Sequence, residues 1–127
     1  MVSERVATVP SMVAVSPDCL FCKIAAGEVP ADVVLRGERT LAFRDVSPQA
    51  PTHVLSIPVE HHADVGALAA VDAGLLAEVV RTGAAAAAAD GLTEHRVVFN
   101  TGPQAGQSVF HVHAHVLGGR RMTWPPG

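Results

Sequence analysis

The sequence is poor in basic residues, and this scarcity excludes one class of partner. Only nine of its 127 residues are Lys or Arg, and the formal net charge is −3. Nucleic acids and anionic membranes are bound mainly through basic patches that neutralise phosphates. We therefore expect neither a nucleic acid nor a membrane as partner, and we favour a small molecule.

Long apolar runs are also missing. Hydrophobic residues make up 49% of the chain, but no segment reaches the roughly 18 uninterrupted apolar residues that a membrane span needs. Residues 1–16 contain Glu4 and Pro10 and are not followed by an Ala-x-Ala cleavage site, which argues against a secretory signal. We expect a disordered tail over residues 1–16, a single domain over residues 17–127 and a cytoplasmic location.

Cysteine is limited to one pair, Cys19 and Cys22, which have a CxxC spacing. This spacing is compatible with a disulfide, with a redox pair, or with half of a metal site. The spacing alone does not choose among these three.

The remaining pattern predicts an α+β domain. A short N-terminal helix is expected to begin at Ser16 and Pro17 and to end at Gly27. One long central helix is expected over residues 64–89, where alanine and leucine are frequent and proline is missing. Strands are expected at residues 33–37, 40–45, 53–58, 96–100 and 109–117. Their hairpin-compatible spacing predicts a five-stranded, mainly antiparallel sheet with helices packed on it.

Three histidines, His111, His113 and His115, occupy alternate positions near the C-terminus. On one strand they would share a face at a spacing of about 6–7 Å. The intervening positions would form an apolar stripe: Phe110, Val112, Ala114 and Val116. Packing explains such a row poorly, because each imidazole has two nitrogens that need partners when buried. The row predicts either zinc ligands with an open position for water or a nucleophilic histidine with assisting neighbours.

The segment NTGPQAGQS, residues 100–108, precedes this row and bears on the choice. Its glycines allow backbone N–H groups to converge on an anion, and Ser108 adds a hydroxyl beside the histidines. A phosphate cradle next to a histidine row favours phosphoryl chemistry.

The run HVHAHVL resembles the HxHxHxx signature of the histidine triad (HIT) proteins. The segments FRDVSPQAPTHVLSIP and GQSVFHVHAHVLGGR and the terminal WPPG are similar to the Hint branch of that family, the purine nucleoside phosphoramidate hydrolases. The similarity extends from about Pro17 to Gly127. It implies a HIT-like fold and a hydrolase that cleaves AMP or GMP from amine or lysine conjugates through a nucleotidyl-histidine intermediate.

The resemblance implies roles for individual residues. His113 corresponds to the nucleophile, and a neutral imidazole with an unperturbed pKa of about 6.5 suits that role near pH 7. His115 would contact the α-phosphate and the leaving group, with Ser108 as a donor. His111 and His53 would form the hydrogen-bonded support that fixes the tautomer of His113. Related transferases carry Gln at the third triad position, so His115 favours hydrolysis.

A nucleoside pocket is implied as well, with Asp45 accepting hydrogen bonds from the ribose hydroxyls. The other implied substrate-binding residues are Phe21, Ile24, Phe43 and Val46 around the base, and Asn100, Gly106 and Gln107 around the phosphates. Ordinary core packing is the alternative for these apolar residues, and for Phe21 and Ile24 the two interpretations are equally weighted. Members of this branch are homodimers, which implies that Trp124 reaches the partner's active site and helps to select the leaving group.

The CxxC pair departs from many Hint-branch proteins and matches other bacterial triad proteins that hold a structural zinc. The implied ligand set is Cys19, Cys22, His53 and His111, a Cys₂His₂ combination suited to tetrahedral zinc. The alternative is that the cysteines are buried apolar side chains. Catalysis itself is expected to need no cofactor, and His61 and His62 are expected to be exposed to solvent.

Two other functions remain open at this point. One is a dinucleoside polyphosphate hydrolase of the same superfamily, which the terminal WPPG disfavours. The other is a non-catalytic nucleotide- and zinc-binding module, which the intact histidine row disfavours.

Overall fold

The protein is described by a computed structural model that covers residues 16–127. The predicted tail, apart from Ser16, lies outside the described residues. Within these residues the helices are α1 (Leu20–Ala25), α2 (Val65–Val71) and α3 (Ala73–Ala89), and a 3₁₀ turn lies at Pro103–Ala105. The strands are β1 (Val33–Arg36), β2 (Thr40–Arg44), β3 (Thr52–Pro58), β4 (Arg96–Phe99) and β5 (Ala114–Gly118).

The five strands form one sheet in the order β1-β2-β3-β5-β4, and every neighbouring pair is antiparallel. This confirms the predicted α+β class and the antiparallel sheet. Gly37 N–H donates to the Thr40 carbonyl at 2.9 Å, which closes the predicted hairpin between β1 and β2. The central strand β3 is buried along its whole length, as expected for a strand covered on both faces.

Helices cover the two faces of the sheet. On one face, Phe21 and Ile24 of α1 pack with Phe43 and Leu55 of the sheet. On the other face, the sheet residues Ala42, Val54 and Val116 pack against Ala86 and Ala87 of α3. Small residues on α3 permit this close approach. A Cβ added at Gly83 would lie 2.9 Å from Val116 Cγ2.

The long central helix is in fact two helices that meet at Asp72. The Asp72 side chain accepts a hydrogen bond from Leu75 N–H at 3.0 Å, and its backbone has non-helical angles, φ −154° and ψ 79°. Asp64 caps α2 in the same way through Ala67 N–H. Aspartate is a strong N-cap, so each of these residues begins a helix of its own. No helix within residues 16–127 combines the length and apolar character required to cross a bilayer.

Two other element boundaries differ from the prediction. The first helix begins after Cys19, whose Sγ accepts the Cys22 N–H at 3.1 Å and acts as the N-cap in place of Ser16. The last strand begins at Ala114, so residues 109–113 run outside the sheet. Phe110 is half exposed as a result, whereas the alternate positions from Val112 onward are buried as predicted.

Candidate functional site

The His113 ring is held by the backbone just before it. Its Nδ1 lies 2.8 Å from the His111 carbonyl oxygen. A carbonyl oxygen only accepts, so Nδ1 must carry the proton and Nε2 must present a lone pair when the ring is neutral. The ring is only 7% exposed. A neutral, oriented imidazole with a free Nε2 is the state that a nucleophilic histidine requires.

The His115 ring is fixed through a different partner. Gln49 N–H donates to His53 Nδ1 at 3.0 Å, which places the proton of a neutral His53 ring on Nε2. His53 Nε2 lies 2.9 Å from His115 Nδ1 and so donates to it. His115 therefore carries its own proton on Nε2. His53 was predicted to fix the tautomer of His113, and this prediction is wrong, because His53 contacts the ring of His115.

Burial keeps both rings neutral at physiological pH. Desolvation lowers the pKa of His113, against smaller opposing effects from the His111 carbonyl and the Asp45 carboxylate. Desolvation, together with the neighbouring His113 and His53 rings, lowers the pKa of His115 to about 4. The His113 and His115 ring centroids are 5.0 Å apart. The pair thus presents one lone pair and one N–H donor side by side.

Asp45 directly follows β2 and lies next to His53 and His115. Its Oδ2 lies 3.4 Å from His53 Nε2, and its Oδ1 accepts the Ser47 N–H at 2.8 Å. The carboxylate is partly exposed, with 18% of the side chain accessible. A carboxylate oxygen can accept more than one hydrogen bond, so Asp45 keeps capacity for further donors.

The Gly-rich loop, residues 100–108, directly precedes the histidine segment, residues 109–117. Gly106 has a φ of +99°, and a Cβ added there would lie 3.5 Å from Asn100 Nδ2, so these two residues are neighbours. Ser108 is exposed. Gln107 behaves differently from its predicted contact with phosphate. Its side-chain amide donates to the Ala63 and Val109 carbonyls and accepts the Gly102 N–H, which uses it to hold the loop together.

The apolar residues predicted to bind the substrate, four around the base and Trp124 at the leaving group, divide into two groups. Phe21, Ile24 and Phe43 are buried in the core, and the Phe21 and Phe43 rings meet edge to face at 5.4 Å. Val46 is 97% exposed, and Trp124 near the C-terminus is 81% exposed. Core packing therefore accounts for the first three residues, whereas it does not account for Val46 and Trp124.

A second cluster brings Cys19, Cys22, His61 and His111 together. Their potential ligand atoms all lie within 4.8 Å of one another. His111 Nδ1 is 3.3 Å from Cys19 Sγ, 3.4 Å from Cys22 Sγ and 3.2 Å from His61 Nδ1. Tetrahedral zinc, with bonds of about 2.3 Å to sulfur and about 2.0–2.1 Å to nitrogen, separates its ligand atoms by about 3.3 Å (nitrogen to nitrogen) to about 3.8 Å (sulfur to sulfur). The four side chains fit such an ion closely.

The protonation of this cluster also suits a metal. His111 Nε2 donates to the Pro58 carbonyl at 2.8 Å, which leaves the Nδ1 lone pair facing the cysteines. Burial raises the pKa of the Cys22 thiol to about 11. A metal ion would displace that thiol proton on binding.

His61 is the residue that the sequence analysis missed, and it replaces His53 in the predicted ligand set. His53 lies with Asp45 and His115 instead. His61 was expected to be exposed but is half-buried, with its Nδ1 3.4 Å from Cys22 Sγ. Its neighbour His62 is half-buried too and contacts Glu60 at 2.8 Å.

Known proteins resemble this chain over nearly all of its length. Residues 26–122 match the family model described as the HIT domain. The adenylylsulfatase HINT1 of Arabidopsis thaliana is 41% identical over 130 residues, covering 100% of this chain and 88% of that protein. A 14 kDa zinc-binding protein of Brassica juncea is 42% identical, covering 87% of this chain and 100% of that one. A HIT family hydrolase from Legionella pneumophila superposes with a TM-score of 0.82 and 52% identity, covering 87% of this chain and 100% of that one.

Proposed function

The chain belongs to the HIT family, and we propose that it is a nucleotide hydrolase. It would cleave purine nucleoside phosphoramidates through a nucleotidyl-histidine intermediate. The observation that carries the proposal is the hydrogen bond from His113 Nδ1 to the His111 carbonyl oxygen. It leaves Nε2 of a neutral ring free to attack the α-phosphorus.

The first step forms a bond from His113 Nε2 to phosphorus and breaks the bond from phosphorus to the leaving nitrogen. The electron pair of the broken bond stays on that nitrogen, which takes up a proton. The proposed donors of this proton are His115 Nε2–H and the Ser108 hydroxyl, and a proton from water would replace the one that they pass on. In the second step water attacks the phosphorus, the bond from phosphorus to Nε2 breaks with its electron pair returning to the ring, and the attacking water loses a proton to solvent, which balances the proton that left with the amine.

Substrate binding would use the remaining groups of the site. Asp45 would offer its carboxylate oxygens to the ribose hydroxyls, and Asn100 and Gly106, which are neighbours in the Gly-rich loop, would contact the phosphate. Val46 offers apolar surface to the base. In a homodimer, Trp124 would reach the partner's active site and contact the leaving group bound there. This role would account for the exposure of its ring.

A structural zinc ion is part of this proposal. The ligands would be Cys19, Cys22, His61 and His111, and the ion would cross-link α1 to the loop after β3 and to the histidine segment. The zinc-binding name of the Brassica juncea relative and the ligand separations given above support it. The four ligands would leave His113 and His115 free for chemistry.

Adenylyl sulfate is a second candidate substrate, favoured by the 41% identity to a protein named adenylylsulfatase. The same His113 attack on the α-phosphorus would apply. The leaving group differs, because sulfate departs as an anion and needs no proton, whereas an amine does.

The test is hydrolysis of adenosine phosphoramidate, adenylyl sulfate and a dinucleoside polyphosphate, with intact mass measured after a rapid acid quench. We expect turnover and an adduct one nucleotide heavier in the wild type, and neither in His113→Asn, which should still bind AMP. His95→Asn is the control, because His95 is exposed in a loop. Turnover of dinucleoside polyphosphates alone would replace the phosphoramidate proposal. Nucleotide binding without any turnover would leave a non-catalytic module.

A further inference from the structure

The metal cluster and the catalytic histidines share one residue, His111. Its ring faces Cys19, Cys22 and His61, and its backbone carbonyl accepts the proton of His113 Nδ1 at 2.8 Å. We propose that the metal centre positions the nucleophile, because fixing the His111 ring fixes the carbonyl that orients His113. The inference rests on the proposed role of His113 and adds to it a positioning role for the metal ligands, including His61.

The His111 ring has one anchor that does not depend on the metal and one that does. Nε2 donates to the Pro58 carbonyl at 2.8 Å, and the residue is completely buried. Nδ1 faces two sulfur atoms and the nitrogen of His61. A thiol is only a weak donor, so without a metal this second nitrogen is poorly held. A ring held at both nitrogens cannot turn about its side-chain bonds, and residue 111 then keeps its carbonyl in place.

The sheet does not supply this restraint. Among the described residues, the ladder pairs of β5 begin at Ala114, three residues after His111. Before that point, the backbone of the segment is joined to the loop after β3 by the bond from Val112 N–H to the His62 carbonyl at 2.7 Å. That loop also carries His61. The nucleophile therefore lies on a stretch of chain whose restraints come from the loop and the cluster.

Helix α1 provides a second connection between the cluster and the nucleophile. It has six residues, too few to be stable without tertiary contacts, and it carries Cys22 in its first turn. Phe21 precedes Cys22 and meets the His113 ring edge to face, with centroids 5.0 Å apart and planes at 90°. A metal that ties α1 to His111 also holds this aromatic ring against His113.

The experiment compares His61→Ala with His62→Ala. Among the described residues, the His61 ring contacts the His111 ring and Cys22, and no hydrogen bond or ring contact joins it to His113 or His115. An effect of His61→Ala on His113 is therefore expected to pass through the metal centre. His62 is adjacent, similarly half-buried, and its side chain contacts Glu60, which makes it the matched control. Zinc content, AMP affinity, kcat and the imidazole ¹⁵N spectrum are measured for both variants. Wild-type protein is measured with zinc, after chelation, and after zinc is restored.

If the metal positions His113, the zinc-free wild type and His61→Ala should each lose about tenfold or more in kcat, the usual range for removing support around a metal site. The AMP dissociation constant should change by less than about threefold, because the nucleotide contacts remain. With zinc, the ¹⁵N spectrum of His113 should show only the tautomer that is protonated at Nδ1. Without zinc, its ¹⁵N signals should be averaged between the two tautomers. Added zinc should restore all three readouts in the wild type, and His62→Ala should match the wild type throughout.

The inference is overturned if folded, zinc-free protein keeps both its kcat and the Nδ1–H signal of His113, because the metal would then only stabilise the fold. If chelation unfolds the wild type, zinc is titrated into His61→Ala, whose missing ligand weakens zinc binding, and kcat and the His113 tautomer are followed against zinc occupancy. A kcat and a tautomer that do not change with zinc occupancy would also overturn it. If zinc-loaded wild type forms no nucleotidyl adduct, the proposed function fails, and the ¹⁵N spectra still decide whether the metal orients His113.

Discussion

Two substitutions of His53 separate its two hydrogen bonds. An asparagine oxygen can take the place of Nδ1 and accept the Gln49 N–H, but the shorter side chain cannot donate to His115. A glutamine nitrogen can take the place of Nε2 and donate to His115, but it leaves the Gln49 N–H without its acceptor. His53→Asn therefore removes the support of His115 and keeps the loop, and His53→Gln does the reverse.

The expected magnitude follows from the bond that is lost. Leaving a buried hydrogen-bonding atom without its partner costs about 1–3 kcal/mol. The His115 ring is half-buried, so its Nδ1 can recover part of this from water, and we take about 1–1.5 kcal/mol. Since about 1.4 kcal/mol is a factor of ten in rate, kcat of His53→Asn on a phosphoramidate should fall about five- to tenfold. His53→Gln should stay within about threefold of the wild type, because the donor to His115 is kept.

The leaving group supplies an internal control. His115 is proposed to deliver a proton to a departing amine, whereas departing sulfate needs none, so His53→Asn should slow adenylyl sulfate hydrolysis less than phosphoramidate hydrolysis. Steady-state kinetics on both substrates, with AMP affinity measured by calorimetry, give the comparison. Equal rates for His53→Asn and His53→Gln on the phosphoramidate would refute the assigned hydrogen-bond direction. Equal losses on the two substrates would refute the proton-delivery role of His115.

Two further predictions concern stability. Gly83→Val should lower the free energy of unfolding by about 1–3 kcal/mol, the usual result of overpacking, because its Cβ would lie 2.9 Å from Val116 Cγ2. Urea unfolding is the assay, and Ala84→Val on the exposed side of α3 is the control for helix propensity. The Arg44 guanidinium beside Asp90 is the main cause that lowers the pKa of that carboxyl to about 2. The Arg44–Asp90 ion pair should contribute about 1 kcal/mol to the free energy of unfolding, as is usual for a partly exposed pair. This contribution is present above pH 4 and should be lost as the pH falls from about 4 to about 2. Asp90→Asn should therefore be less stable than the wild type at pH 7 and equally stable near pH 2, and a constant difference across this range would contradict the assignment.

The sheet was predictable because hairpin spacing and alternating apolar residues are local signals, and all five strands were expected near their observed positions. The break between α2 and α3 was present in the sequence but was missed. Asp72 precedes Ala73 and Gly74 in a run with high helix propensity, and this propensity concealed the cap. A strong residue-by-residue preference for helix does not indicate whether the chain forms one helix or two.

The histidine row shows what alternation does and does not establish. A period of two belongs to any extended chain, whether or not the chain pairs with a neighbour. Val112, Ala114 and Val116 are buried as the pattern predicts, although only the last two lie in β5. Phe110 breaks the pattern because the chain before Val112 follows the loop after β3 and not the sheet. The row predicts a site at these histidines, but alternation could not show that the His111 ring faces Cys19 and Cys22.

The exchange of His53 for His61 in the metal cluster follows from the register of one strand pair. His53 pairs with Leu117, and Leu55 pairs with His115, so His53 and His115 are diagonal neighbours across β3 and β5. Diagonal side chains on adjacent strands lie within reach of long or aromatic groups. Continued past the end of β3, the same register places His111 opposite Val59, two residues from His61 and six from His53. At about 3.3 Å per residue, His53 is too far along the strand to join a ligand set with His111. The sequence shows which histidines lie near β3, but it does not show which cluster each of them joins. Only the pairing register of β3 with β5 decides that.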